Sequence, residues 1–226
     1  MFKELIEALR QRPLLGQMWS EMEEMLGDAV DMYRPIADVL AGRERMTQAT
    51  HDGVYETDKR INHLQRKIRK QLVAHLALAP GSDVPISLTL MSISKDAERV
   101  GDICKNLLEV ADAAKSPPCS GPYGERVRGL LAAGEALFEP TVAGTINSDK
   151  ETAASAVEDA RDLARRCDAM IDDLMKDNLP TRDAVLLTLL ARYLKRISLH
   201  LSNIASSVVM PLHRLDYFDE GDTPHR

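Results

Sequence analysis

The amino-acid sequence predicts an all-α protein of two tandem three-helix bundles, with six long helices and an internal duplication. Aromatic residues make up only 4% of the chain and charged residues 28%, a balance typical of long packed helices. Apolar residues recur in alternating steps of three and four, and no stretch shows the period of two that indicates a half-buried strand. Such spacing gives a nearly straight apolar seam, which suits long helices packed at a shallow angle.

The first half contains three predicted long helices, over residues 15–39, 46–78 and 86–111. A short amphipathic helix at the N-terminus is expected to precede them. The sequence Ala-Pro-Gly-Ser-Asp at 79–83 ends the second helix and supplies a capping residue for the third. These three helices define the first predicted domain, residues 1–115.

The second half repeats this order, with predicted helices over residues 123–145, 148–175 and 187–208. The two halves are separated by the densest cluster of helix breakers in the chain, Ser-Pro-Pro-Cys-Ser-Gly-Pro, near the midpoint. The second bundle is therefore predicted to span residues 122–212, and residues 213–226 form an acidic C-terminal tail.

Composition excludes several classes of function. The net charge of -6 argues against a nucleic-acid-binding protein, because recognition of phosphates usually requires an excess of basic residues. The three cysteines form no CxxC pair, and their odd number is typical of reduced thiols in a cytosol-like compartment. No signal peptide and no apolar run long enough to cross a bilayer is recognisable. We therefore expect a soluble, cytoplasmic protein that does not insert into the membrane.

A duplicated signature carries the most specific information. Glu98 and Asp102 lie four positions apart, so both carboxylates project from one face of the third helix. The signature recurs 97 residues later, where the same two positions hold Lys195 and Leu199. The first half thus keeps a pair of acids that the second half has lost.

Three segments together carry a resemblance to a known family. Residues 56–62 read Glu-Thr-Asp-Lys-Arg-Ile-Asn, and residues 98–102 read Glu-Arg-Val-Gly-Asp and are followed by Asn106. A second copy of the signature spans residues 191–197 and continues to His200. In this order and spacing the chain resembles the PhoU family of phosphate-transport regulators over nearly its whole length.

The resemblance implies a non-enzymatic regulator of phosphate uptake and phosphate signalling. Such a protein would act as an adaptor between the cytoplasmic subunit of a membrane phosphate transporter and a sensor histidine kinase, and could form a homodimer. The sequence also lacks a Gly-rich phosphate loop, a G-x-S-x-G motif and a Cys–His pairing with supporting spacing. We therefore expect no catalytic residues and no enzyme activity.

The resemblance further implies a cation site on paired acidic motifs, which carry over to the first half only. Oxygen ligands favour hard divalent cations or oxidised iron. In the second half Lys195 brings its own positive charge, so no cation is expected there. The predicted ligands of the first half are Glu98, Asp102, Asp58, Asn62 and Glu56.

Other interpretations remain open. Glu98 could simply pair with a nearby Arg or Lys, with Asp102 solvated on the helix face. Arg99 and Arg196, which are equivalent in the repeat, suit inter-helix ion pairs or anion contacts, and His200 suits a satisfied interface histidine. For the whole protein, the alternatives are a structural scaffold bundle with a decayed metal site or a carboxylate-bridged metal protein. The latter requires Glu-x-x-His motifs on two helices, and the chain has none.

Overall fold

A computed structural model describes residues 13–78, 81, 83–114 and 116–210, and these residues fold into helices without any strand. The predicted all-α class is thereby confirmed. The short N-terminal helix and the acidic tail predicted from the sequence lie outside the described residues. A single 3-10 turn covers Pro118–Ser120 between the two halves. The α-helices are α1 (Pro13–Leu40), α2 (Gln48–Leu78), α3 (Val84–Ala113), α4 (Gly124–Ala136), α5 (Phe138–Ile146), α6 (Lys150–Leu174) and α7 (Thr181–Val209).

Helices α1, α2 and α3 pack against one another to form the first half. The methionine-rich stripe of α1 faces this core, and Met18, Met22 and Met25 are fully buried. Methionine suits such a seam because its flexible side chain fills irregular gaps between helices. No helix in the described part of the chain is long and apolar enough to cross a membrane.

Two ion pairs hold α1 and α2 in register. Lys67 Nζ lies 2.8 Å from Glu21 Oε1, and Arg60 Nη2 lies 2.6 Å from Asp28 Oδ1. The two acids are seven residues apart on α1 and the two bases seven apart on α2, so both pairs fall on one side of an antiparallel seam. Both carboxylates are largely buried, and a shift of one helix turn would leave them without their counter-ions.

The start of α3 departs from its predicted cap. Asp83 occupies the position before the helix, but its side chain accepts no capping hydrogen bond from α3. Instead, Asp83 Oδ2 lies 2.9 Å from His75 Nε2 at the end of α2. The carboxylate therefore ties the two helix ends together across the connection.

The fourth predicted helix, over residues 123–145, is interrupted at Leu137 and forms two helices, α4 and α5. Pro140 explains the break, because proline has no backbone N–H to donate to the carbonyl four residues earlier and its ring clashes there. Phe138, at the start of α5, is buried and lies 5.4 Å from the ring of Tyr33, centroid to centroid. The prediction of one continuous helix here was wrong.

The predicted repeat is visible in the burial of α3 and α7. Four pairs of apolar residues separated by 97 positions were expected to be buried, and all eight are at most 6% exposed. This outcome confirms that the two helices present equivalent seams to the interior. The pairs are Leu90 and Leu187, Ile93 and Leu190, Val100 and Ile197, and Leu107 and Ile204.

The two halves share one apolar core, because α3 and α7 also pack against each other. They run antiparallel: Arg182, at the start of α7, donates a hydrogen bond to the carbonyl oxygen of Ala113, at the end of α3. A second link joins α1 to α4, where the Tyr33 hydroxyl donates to the Leu131 carbonyl at 2.8 Å. A Cβ on Gly134 would lie only 2.4 Å from that hydroxyl, so glycine permits the close approach. The exact domain boundaries stay a prediction.

Candidate functional site

Two of the predicted acids meet on a lysine that sequence reasoning had not singled out. Lys105 Nζ lies 2.9 Å from Asp58 Oδ1 on α2 and 3.0 Å from Asp102 Oδ1 on its own helix, α3. The Asp58 side chain is only 11% exposed, and that of Lys105 is 23% exposed. The ammonium group therefore bridges two carboxylates in a largely enclosed position between the helices.

The position of Lys105 follows from helix geometry. It lies three residues after Asp102, so both side chains share one face of α3, which here packs against Asp58 of α2. Burial by itself lowers the pKa of Lys105, but hydrogen bonds to Asp58 and Asp102 and the charges of both acids outweigh it and raise the pKa overall. The side chain is thus a stable positive charge at neutral pH.

Glu98 occupies the edge of this cluster. Burial raises its pKa, and the charge of Asp102 adds to that effect, while Arg99 opposes it. Arg99 Nε lies 3.7 Å from Glu98 Oε2, and Arg99 Nη1 lies 3.3 Å from Asp102 Oδ2. The interpretation that Glu98 pairs with a neighbouring arginine is confirmed. The same interpretation placed Asp102 in solvent, and this part was wrong, because Asp102 forms ion pairs with Arg99 and Lys105.

The other two predicted ligands behave differently from each other. Asn62 Nδ2 donates a hydrogen bond to Asp58 Oδ2 at 3.1 Å, so the amide orients the carboxylate that Lys105 binds. Glu56 is exposed on α2. It lies two residues before Asp58, a spacing that places the two side chains on different faces of a helix.

These contacts do not fit the cation site that the resemblance implies. The Lys105 ammonium lies between Asp58 and Asp102 and takes up one oxygen of each. Asn62 presents its N–H group, which cannot coordinate a metal, to the remaining oxygen of Asp58. Within the ranges that the structure describes, no group of three or more His, Cys, Asp or Glu side chains is arranged to hold a metal ion. Metal binding at the five residues, which the resemblance implies, is untested, and these contacts argue against it.

The second half also places a lysine beside an acid. Lys195 stands at the repeat position of Glu98, and its Nζ lies 2.8 Å from Asp168 Oδ1 and 2.6 Å from Asp168 Oδ2. Here the Asp168 side chain is 49% exposed. Leu199, at the position of Asp102, lines the same shallow surface and offers no lone pair.

A buried polar contact joins the two halves beside these sites. Asp96 of α3 is 1% exposed, and its Oδ1 lies 2.8 Å from Nδ1 of His200 on α7. Asn203 Nδ2 donates to the same oxygen at 3.3 Å. The interpretation of His200 as a satisfied interface histidine is thereby confirmed, although its partner Asp96 could not be predicted from the sequence.

The fold defines a helical protein of two repeated units, the second of which has its first helix divided into α4 and α5. The PhoU domain family matches residues 15–111, which span α1, α2 and most of α3 and include the whole Lys105 cluster. The match assigns the first half of the chain, residues 15–111, to the PhoU domain family.

Relatives with curated names extend this similarity across both halves. The "Phosphate-specific transport system accessory protein PhoU homolog" of Xylella fastidiosa strain Temecula1 is 25% identical over 205 residues, which cover 88% of this chain and 83% of that protein. The protein of the same name from Synechocystis sp. is 25% identical over 169 residues, covering 69% of this chain and 71% of that protein.

Solved structures show the same fold. PhoU from Pseudomonas aeruginosa superimposes with a TM-score of 0.66 at 23% identity, covering 95% of this chain and 99% of that one. The phosphate transport system regulatory protein PhoU from Streptococcus pneumoniae gives a TM-score of 0.71 at 17% identity, covering 90% and 97%. At these identities the likeness is one of fold alone.

Proposed function

We propose that this protein is a non-enzymatic accessory regulator of a phosphate-transport system. The observation that carries the proposal is the alignment with the Xylella protein of that name, which extends over 88% of this chain. Because the alignment spans both halves, it supports a role for the whole duplicated protein.

Regulation would work through docking on other proteins in the cytoplasm. The partners that we propose are the cytoplasmic subunit of a phosphate transporter, a sensor histidine kinase, or both. The side chains that could act in catalysis support a role without turnover. Burial raises the pKa of Cys104 and of Cys167 to about 12, so neither thiol is a ready nucleophile at neutral pH. Asp58 and Asp102 are engaged by Lys105, which favours a structural part for them.

The test is the uptake of radiolabelled phosphate by the native host with and without the gene. We expect the deletion strain to continue uptake under phosphate-rich conditions and the restored gene to correct this. Unchanged uptake in the deletion strain would contradict the proposal. So would a phosphatase or oxidase activity of the purified protein that disappears in Glu98→Ala.

A scaffold bundle with a decayed metal site is the second candidate. It is favoured by the lysines in both halves, Lys105 and Lys195, which neutralise acids where family members can hold metal. A pure scaffold would leave phosphate uptake unchanged when the gene is deleted, so the same uptake assay separates the two functions.

A further inference from the structure

A groove that no function described so far uses runs along α1, beside α4 and α5. Its volume is about 810 Å³, and it runs between α1 on one side and α4 and α5 on the other. Its apolar surface comes from Val30 of α1 and from Val142 and Ile146 of α5.

The rim of the groove is acidic. Glu23 and Asp31 border it from α1, and Glu135 and Glu139 border it from the other side. Among the described residues that line it, Arg34 is the one cation, and its Nε lies 3.0 Å from Glu135 Oε1. Arg34 and Glu135 thus neutralise each other, and the remaining rim carries negative charge over an apolar floor.

We propose that this groove binds a basic amphipathic helix of a partner protein. From Glu23 to Arg34 the wall formed by α1 is about 16 Å long at ~1.5 Å per residue, which matches about three turns of a bound helix. Apolar residues of that helix, spaced at three and four positions, would contact the floor, and its Lys or Arg side chains would face the acidic rim. This inference rests on the proposed function only for the identity of the partner protein that carries the helix.

Gly27 gives a way to test the groove without disturbing the core. It lines the groove from the middle of α1, and a Cβ built on it meets no atom within 4 Å. A phenylalanine there would fill the groove while replacing a residue of low helix propensity. Gly53 of α2 is a matched control, because it is exposed, lies outside the groove and likewise meets nothing within 4 Å.

The experiment measures fluorescence anisotropy of a labelled synthetic helix, with leucines at positions spaced by three and four and lysines beside them, on titration with the full chain. We expect binding that weakens with salt, and a peptide with glutamates in place of the lysines that does not bind. Gly27→Phe should weaken binding at least about tenfold, whereas Gly53→Phe should leave it unchanged.

A charge-matched pair of variants provides a second readout. Glu23→Gln with Glu139→Gln removes two charges from the rim, and Asp159→Asn with Asp172→Asn removes two from the exposed face of α6. We expect only the first pair to weaken peptide binding. Equal weakening by both pairs, or binding that Gly27→Phe does not change, would overturn the proposal.

The same variants distinguish other occupants. A concentration-dependent dimer that Gly27→Phe dissociates would assign the groove to a second copy of this chain and overturn the proposal. Loss of peptide binding in Gly27→Phe supports the groove whatever the phosphate-uptake assay returns, so failure of the groove and failure of the proposed function are read separately.

Discussion

The two halves neutralise acids at equivalent interfaces, α2–α3 in the first half and α6–α7 in the second, by different means. In the first half Lys105 bridges Asp58 and Asp102, and in the second half Lys195 binds both oxygens of Asp168. Lys195 occupies the repeat position of Glu98, whereas Lys105 lies seven residues, or about two turns, further along its helix. The repeat therefore conserves the apolar seam and leaves the charged positions free to change.

The halves also differ in how enclosed these pairs are. The side chain of Asp58 is 11% exposed, and that of Asp168 is 49% exposed. An enclosed carboxylate that loses its counter-ion cannot recover its hydration, whereas an exposed one can. Replacing the lysine by an uncharged residue should therefore cost more stability in the first half than in the second.

The largest expected effect is that of Lys105→Met. It leaves the buried Asp58 without its cation and Asp102 with Arg99 as its remaining partner. The free energy of unfolding should fall by about 2–3 kcal/mol, less than for a fully buried pair because Asp102 is partly exposed. Urea unfolding followed by circular dichroism measures this. Lys95→Met, at an exposed position of α3, is the control and should change little. A loss equal to that of the control would contradict the bridging role.

Removing one of the two acids should partly restore stability. In the Lys105→Met background, Asp58→Asn removes the buried charge while keeping a similar shape, so we expect the double variant to recover about 1 kcal/mol. The same unfolding measurement on both single variants and the double variant completes the cycle. Strictly additive losses would show that the two side chains are not coupled.

Lys195→Met should have a smaller effect than Lys105→Met. Asp168 remains accessible to water, so the loss should be about 0.5–1 kcal/mol, in the range of exposed pairs. A loss as large as that of Lys105→Met would remove the contrast between the halves.

The smallest effect concerns Glu98, whose pKa in the folded protein lies above its usual value of 4.5, first because of burial and then because of Asp102. The folded state therefore favours the protonated carboxyl, and stability from this group is present below pH 4.5 and lost as the pH rises through the raised pKa. Glu98→Gln removes this loss of stability, because glutamine does not ionise.

We accordingly expect Glu98→Gln to be slightly more stable than the parent at about pH 7.5 and equal to it at about pH 4. Unfolding curves at the two pH values test this, with Glu109→Gln, at an exposed position of the same helix, as the control. A gain at the lower pH, or a loss at the higher one, would have the wrong sign.

Most of the fold could be predicted because the apolar period alone determines which face of each helix is buried. The eight matched residues of α3 and α7 are buried as the pattern requires. The interruption at Leu137 was missed because a proline near a helix end is compatible with either a kink or a new first turn. The pairing of Asp96 with His200 was missed because it depends on how the two halves pack, which no local period encodes.

The acid cluster could be predicted only in part. The four-residue spacing of Glu98 and Asp102 correctly places them on one face, and the antiparallel course of α2 and α3 brings Asp58 to Asp102. Lys105 was not predicted, because the spacing of the acids carries no information about a lysine three residues after Asp102. Whether that lysine reaches Asp58 depends on the register of α2 against α3, which is set by core packing rather than by the spacing along either helix.

The most direct test of Lys105 as the cation of this cluster is the metal content of the purified full chain after dialysis against manganese and iron salts. We expect no stoichiometric metal in the parent protein, because the Lys105 ammonium lies between the carboxylates that would bind it. Stoichiometric metal that is lost in Glu98→Gln with Asp102→Asn, and kept in Asp159→Asn, would contradict this and would assign the cluster to a metal ion after all.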